Sequence, residues 1–220
     1  MIRQAVILAG GLGKRMGEVG KQMPKVLLKY EGKTLLERNI EKLKEVGIED
    51  IAIVIGHKGE LIKEILGPSF KYYHQKKQMG TADAVAAAKD FVKDTYFLVM
   101  NGDIVVDDSL ENLTKMKPPV IASYKIDDTS RFGKLLIKGG KLVDIKEKTK
   151  EKKSGLINAG IYVFPKGIFQ MIEKTPLSPR GEYEITDTIT MMIKSGVDLK
   201  VYPLRGGWKD IVSPGNLGDN

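Results

Sequence analysis

Short apolar runs alternate with amphipathic stretches through the first hundred residues. Residues 5–8, Ala-Val-Ile-Leu, contain no polar member and read as a strand buried on both faces. Residues 34–46 place Leu35, Leu36, Ile40, Leu43 and Val46 on one side of a 3.6-residue period with charges opposite, and Gly47 follows as a stop. That pattern predicts a core-facing helix. The alternation continues with a strand at 51–55, a short helix at 60–66 closed by Gly67-Pro68 and a strand at 70–74. An alanine-rich helix at 81–91 and a strand at 96–100 follow, the latter running into Asn101-Gly102-Asp103. Strand–helix–strand units in series predict a parallel sheet, whose ligands bind beyond the carboxyl ends of its strands.

Beyond Asp103 the rhythm changes. A helix at 109–116 and a strand at 120–124 lead to two strands, 133–138 and 141–147, around the tight-turn pair Gly139-Gly140. A long strand at 156–164, a helix at 186–194 and a strand at 199–204 complete the pattern before Trp208-Lys209-Asp210. The expectation is an α/β fold of three layers, Rossmann-like, with a mostly parallel sheet and β-hairpin insertions forming a lid over it. No linker and no internal repeat interrupts the chain, so residues 1–220 read as one domain.

Composition narrows the function. A chain of 220 residues with 42% hydrophobic content can bury about 70% of the surface its unfolded form exposes. No charge-free apolar run approaches the roughly 18 residues of a membrane helix, and Met1-Ile2-Arg3 leads into a strand without a signal-peptide pattern. A cytoplasmic protein without membrane partners is expected. With no cysteine, and only His57 and His74 as imidazoles, a zinc enzyme is disfavoured, and both histidines read as structural or surface residues. The net charge of +8 is spread along the chain with only 7% aromatics, which suits a small anionic substrate better than nucleic acid.

The chemistry concentrates in residues 8–25. After Leu8 and Ala9 come Gly10, Gly11, Gly13 and Gly17, which can take positive φ and close backbone N–H groups on an anion. Arg15 adds a bidentate phosphate grip and Lys25 a compact point charge. A P-loop is excluded because Leu8 stands five places before Gly13 and Lys14 is followed by Arg15. The dinucleotide fingerprint, and with it an oxidoreductase, is disfavoured by Met16 at the third glycine position.

The segment from Gly10 to Met16, with Pro24-Lys25, resembles the signature G-G-x-G-[ST]-R-[LM]…P-K of the sugar-1-phosphate nucleotidyltransferases, with Lys14 in place of the hydroxyl residue. The resemblance extends along nearly the whole chain. Gln75 with Gly80-Thr81-Ala82 matches the segment that contacts a pyrimidine base, and Asn101-Gly102-Asp103 matches a metal-binding G-D. Gly133, Glu147-Lys148, Asn158-Ala159-Gly160, Gly181-Glu182-Tyr183 with Thr186-Asp187, and Trp208-x-Asp210 match the sugar-side and second metal elements. Thr149 replaces a proline and Val212 a glycine of the pattern.

The resemblance implies a nucleotide-diphospho-sugar transferase fold with a nucleotide-binding half to about residue 105 and a sugar-binding half from about 106 to 220, where the hairpins would cover a sugar pocket. It implies catalytic roles for Arg15, Lys25, Asp103 and Asp210, with Mg²⁺ on the two aspartates. Nucleotide contacts fall to Leu8, Ala9, Gly10, Gly11, Gly13, Gln75, Gly80 and Thr81; sugar contacts fall to Gly133, Glu147, Lys148, Asn158 and Glu182. The implied partners are a nucleoside triphosphate and a sugar 1-phosphate, in a possible homo-oligomer. UTP or dTTP is favoured because the Gln75 amide offers a donor and an acceptor to the base edge. A guanylyltransferase acting on a mannose-type substrate and a non-catalytic regulatory subunit are the alternatives.

Each residue also has a plainer reading. Asp103 would serve as a turn aspartate, Asp210 as a helix cap before Pro214, Thr81 as a helix N-cap and Glu147 as a solvated charge. Asn158, inside an apolar strand, is harder to set aside, because an unpaired buried amide costs roughly 1–3 kcal/mol.

Overall fold

A computed structural model describes residues 2–11, 13, 17–149 and 152–211. Strand β1 (Gln4–Ala9) is followed by α1 (Gly17–Gln22), a 3₁₀ turn at Lys25–Leu27 and the small hairpin β2 (Lys29–Tyr30) and β3 (Lys33–Thr34). Next come α2 (Leu35–Glu45), β4 (Asp50–Ile55), α3 (Gly59–Leu66), β5 (Lys71–His74), α4 (Thr81–Ala87) and β6 (Tyr96–Asn101). The second half holds β7 (Ile104–Val106), α5 (Glu111–Lys115), β8 (Val120–Ile126), β9 (Gly133–Lys138), β10 (Lys141–Glu147) and β11 (Gly155–Pro165). Helices α6 (Ile168–Ile172) and α7 (Ile185–Lys194) and strands β12 (Lys200–Pro203) and β13 (Trp208–Asp210) close it.

One nine-stranded sheet runs β10-β9-β11-β6-β1-β4-β5, with β8 also on β11 and β12 on β8. It is parallel across β6, β1, β4 and β5, and turns antiparallel where β11 meets β6. The all-apolar run of β1 follows from this placement. Ala5, Ile7 and Ala9 face the layer that holds Leu36, Ile40 and Leu43 of α2, whereas Val6 faces the layer of Val85, Ile185 and Ile189 from α4 and α7. The first of these helices is capped as its sequence dictates. Thr34 Oγ1 accepts the Glu37 N–H at 3.1 Å while the Glu37 carboxylate accepts the Thr34 N–H at 2.8 Å.

Two differences from expectation have local causes. Helix α4 ends at Ala87 rather than near 91: the chain tightens into three-residue turns, with the Ala88, Lys89 and Phe91 N–H groups donating to the Val85, Ala86 and Ala88 carbonyls. Buried Gln4 of β1 then holds the segment beyond, its Oε1 accepting from Lys93 N and Asp94 N at 2.8 and 2.9 Å. The hairpin turns on Gly139 and Gly140, both at positive φ, as expected, but instead of forming a lid over the sheet it extends the sheet at its edge, paired to β11 through Lys134 and Ile157. Strand β11 is eleven residues long, enough to serve β6, β8 and β9. Among the described residues no helix is long and apolar enough to cross a membrane.

Candidate active site

A cavity of about 430 Å³ opens beyond the carboxyl ends of β1 and β6. Its wall brings together Leu8, Ala9, Gly10, Gly11 and Gly13 from the first loop, Gln75, Gly80 and Thr81 from the approach to α4, and Lys25, Asp103, Glu182 and Asp210. Residues this far apart in sequence meet because several distinct devices carry them there.

Asp103 sits in the turn between β6 and β7, and α2 holds that turn from behind. Asn39, 1% exposed on the otherwise apolar face of α2, donates to the Gly102 carbonyl at 3.1 Å and the Asn101 carbonyl at 3.4 Å. Sequence reasoning missed Asn39, although an amide in the middle of a helix's apolar face is the signal that would have found it. Asp210 arrives by a different route. It lies in a three-residue strand of its own, where it pairs opposite Ile104 of β7, and the next residue's N–H, Ile211, donates to the Asp103 carbonyl at 3.1 Å. Trp208 anchors this strand, its Nε1 donating to the Ala159 carbonyl at 2.9 Å and its ring lying between Tyr124 and Phe132.

The two carboxylates converge on one cation. Lys25 Nζ lies 2.8 Å from Asp103 Oδ2 and 3.6 Å from Asp210 Oδ1. Burial pushes the Asp210 carboxyl above the ordinary range, the Asp103 charge adds to this, and Lys25 opposes it. Two oxygen donors of this hardness, open to a cavity, suit Mg²⁺, which is typically held by one or two carboxylates with substrate phosphates completing its shell. Among the described residues no group of three or more His, Cys, Asp or Glu side chains is gathered for a metal, so an all-protein cage is not what this site offers.

The glycine loop differs in detail from its sequence reading. Gly13 and Gly17 adopt positive φ, whereas Gly10 and Gly11 do not. Arg15 and the departures Lys14 and Val212 lie outside the described residues. Thr81 is not the N-cap of α4, a position Gly80 takes; its hydroxyl accepts the Ile185 N–H at 2.9 Å. Gly80 itself allows no side chain. It stands at φ 115°, and a Cβ there would meet the Tyr183 carbonyl at 2.4 Å. The segment around Glu182 thus docks by backbone on the start of α4, with Ala82 N donating to Tyr183 O at 2.9 Å.

The sugar-side candidates do not all share the cavity. Glu182 lines it, while Gly133, Glu147, Lys148 and Asn158 are not on its wall. Gly133 and Glu147 pair across the hairpin, and the Glu147 carboxylate lies 3.7 Å from Arg180, which also grips buried Glu184. Burial raises the Glu147 carboxyl above its ordinary range, Glu184 raises it further, and Arg180 opposes both. Lys148 holds a left-handed backbone at φ 44°. Asn158 satisfies itself internally, donating to the Tyr162 hydroxyl at 2.7 Å and accepting the Gly160 N–H at 3.0 Å. Gly160, at φ 77°, leaves room for Asn101, whose Nδ2 lies 2.6 Å from where a Cβ would stand. Asn101 and Gln78 also line the cavity. Both stood inside the quoted motifs without being singled out.

The nucleotidyl transferase family pattern matches residues 4–218. The chain belongs to this family. Among its relatives, the bifunctional protein GlmU of Methanocaldococcus jannaschii is 38% identical over 97% of this chain and 52% of its own length. This nucleotidyl transferase therefore spans about half the length of the GlmU relatives it matches. The UTP–glucose-1-phosphate uridylyltransferase AglF of Haloferax volcanii is 30% identical, with 96% of this chain and 92% of the relative covered. A solved structure from Bacillus anthracis, assigned as a glucose-1-phosphate thymidylyltransferase, superposes with a TM-score of 0.86 at 31% identity over 97% of this chain and 92% of that one.

Proposed function

We propose that this nucleotidyl transferase moves a nucleotidyl group from a nucleoside triphosphate, UTP or dTTP by preference, to a sugar 1-phosphate such as glucose 1-phosphate or N-acetylglucosamine 1-phosphate, releasing pyrophosphate. The observation that carries the reading is the Lys25 ammonium shared between Asp103 and Asp210 on the wall of a glycine-lined cavity.

The reaction asks for positioning and cations rather than proton transfer. A sugar 1-phosphate oxygen is already ionised near neutral pH, so no general base is needed, and the barrier lies in bringing several negative charges together. The glycine loop and Arg15 take the β- and γ-phosphates. Lys25 leaves its carboxylate partners for the α-phosphoryl group as negative charge builds there, a role suited to a flexible point charge. Asp103 and Asp210 are the residues that would hold Mg²⁺, and the ion when bound would supply neutralisation of the triphosphate charge. The sugar contacts are assigned to Glu182, which lines the cavity, and to Gly133, Glu147, Lys148 and Asn158, which lie off its wall.

Pyrophosphate release across a matrix of nucleoside triphosphates and sugar 1-phosphates tests this reading. Turnover with UTP or dTTP and a glucose-type 1-phosphate is expected. Preference for GTP with mannose 1-phosphate would overturn the base assignment, and no turnover with any pair would overturn the activity.

A further inference from the structure

Gln75 is a buried polar side chain on the cavity wall, 4% exposed, and both protons of its amide are engaged. Nε2 donates to the Gly80 carbonyl at 2.9 Å and to Asp83 Oδ2 at 2.8 Å. A carbonyl and a carboxylate only accept, so turning the amide over would set Oε1 against two acceptors. Among the described residues, the atom left without a partner is Oε1 itself. It faces the glycine loop, 2.9 Å from where a Cβ on Gly10 would begin. Reading Gln75 as both donor and acceptor therefore does not survive the structure: what it presents is an acceptor alone.

We infer that Asp83, which is not on the cavity wall, is a positioning residue that fixes the Gln75 amide as an acceptor and thereby selects bases carrying a ring N–H. This rests on the nucleotidyl-transfer reading of the site. Uracil and thymine offer N3–H, and guanine offers N1–H. Cytosine and adenine have a lone pair at the corresponding ring nitrogen, so either base would face Oε1 with two acceptors opposed and neither satisfied. Gly80 contributes to the same orientation, but its bond is neutral, whereas the bond to Asp83 is charge-assisted and correspondingly stronger. Gly80 is flanked by two bonds to the Tyr183 backbone, through Met79 O and Ala82 N, and its own carbonyl also accepts the Ala84 N–H at 3.1 Å, so it has little freedom to follow a turned amide. Asp83 also lies in the first turn of α4, where an acidic residue favours a helix start. That role alone would weaken every nucleotide equally.

The test compares the wild-type chain with Asp83→Asn and Asp83→Ala. It measures kcat/KM for UTP and CTP with one sugar 1-phosphate, and the affinities of UDP and CDP by calorimetry. In Asp83→Asn the side chain can donate to Oε1 as well as accept from Nε2, so the Gln75 amide is no longer held in one orientation and the UTP:CTP ratio should fall by about tenfold. Asp83→Ala removes the acceptor without offering a donor and should lower the ratio less. The UDP:CDP affinity ratio should fall in step, with the KM for the sugar 1-phosphate unchanged. Equal losses for both nucleotides, or an unchanged ratio in variants that melt like the wild type, would overturn the inference while leaving nucleotidyl transfer standing. Asp83-dependent discrimination between UDP and CDP without any turnover would sink the transfer reading and keep the inference. Should Asp83→Asn fail to fold, Asp83→Ala carries the comparison.

Discussion

The ammonium of Lys25 lies 2.8 Å from the carboxylate of Asp103, in a site where Asp210 supplies a second carboxylate 3.6 Å from the same nitrogen. One cation between two anions leaves a net negative charge, and two like charges 4 Å apart repel by about 1 kcal/mol in water and about 4 at an effective dielectric of 20. The arrangement is stable while Lys25 stays. On the proposed reading, substrate phosphates drawing Lys25 away would leave the two carboxylates free to hold Mg²⁺, so that nucleotide and metal binding would be tied together.

Removing either carboxylate should then remove the same function. Asp103→Asn and Asp210→Asn are each expected to lower kcat/KM by about 10³-fold, and the double variant should be hardly worse, because the two losses concern one ion. Both should melt close to the wild type. Steady-state kinetics over a Mg²⁺ titration check this, and near-normal metal-dependent activity in either variant, or losses that multiply, would count against a shared ion.

Asn39 should matter to activity without touching the cavity. In Asn39→Leu the Asn101 and Gly102 carbonyls lose their buried donor, at a cost of about 1–3 kcal/mol. Urea denaturation should register that loss. Because the same turn carries Asp103, kcat should fall while the KM for the sugar 1-phosphate changes little. A variant with unaltered stability and rate would show that the turn holds itself.

Much of this was legible in the chain. The helix over 34–46 and the hairpin on Gly139-Gly140 follow from local periodicity and turn chemistry, which the structure keeps, whereas the capping box of Thr34 and Glu37 was not singled out. The convergence of Asp103 with Asp210 was reached through motif resemblance, but its cause was not visible. Strands of three residues, such as Ile104–Val106 and Trp208–Asp210, are too short to show a period, and their pairing is a tertiary event. The Gln75 amide was misjudged for a related reason: its donors are engaged by Gly80 and Asp83 across a loop, and a list of side-chain capacities does not reveal which are already in use.

Gly80→Ala should be among the most damaging single changes. Its backbone at φ 115° and the Tyr183 carbonyl 2.4 Å from any Cβ leave the new methyl nowhere to go. A loss of about 3 kcal/mol or more is expected, from strain and from undocking the Glu182 segment. Chemical denaturation gives the loss; a change below roughly 1 kcal/mol would mean that the docking yields easily.

Glu147 links the sugar side to pH. Its carboxyl is raised first by burial and then by Glu184, with Arg180 opposing. Below the ordinary carboxylate range Glu147 is protonated in both folded and unfolded chains, and Glu147→Gln should be close to neutral. As pH rises through the unfolded and then the folded pKa, the folded wild type must carry a buried charge that the unfolded chain ionises more readily, so its stability falls relative to the variant. Melting temperatures should therefore separate in favour of Glu147→Gln as pH rises above about 4, the ordinary carboxylate range. A variant less stable than the wild type at neutral pH would reverse the sign assigned to this site.

The central claim is that the α-phosphorus of the nucleotide is the atom transferred onto the sugar 1-phosphate. Parallel reactions with UTP radiolabelled at the α- or the γ-phosphate, run with glucose 1-phosphate or N-acetylglucosamine 1-phosphate and Mg²⁺, read it directly. The account predicts the α-label in a sugar nucleotide and the γ-label in pyrophosphate. Label from the γ-position on the sugar, or release of γ-label as inorganic phosphate with no sugar nucleotide formed, would contradict it.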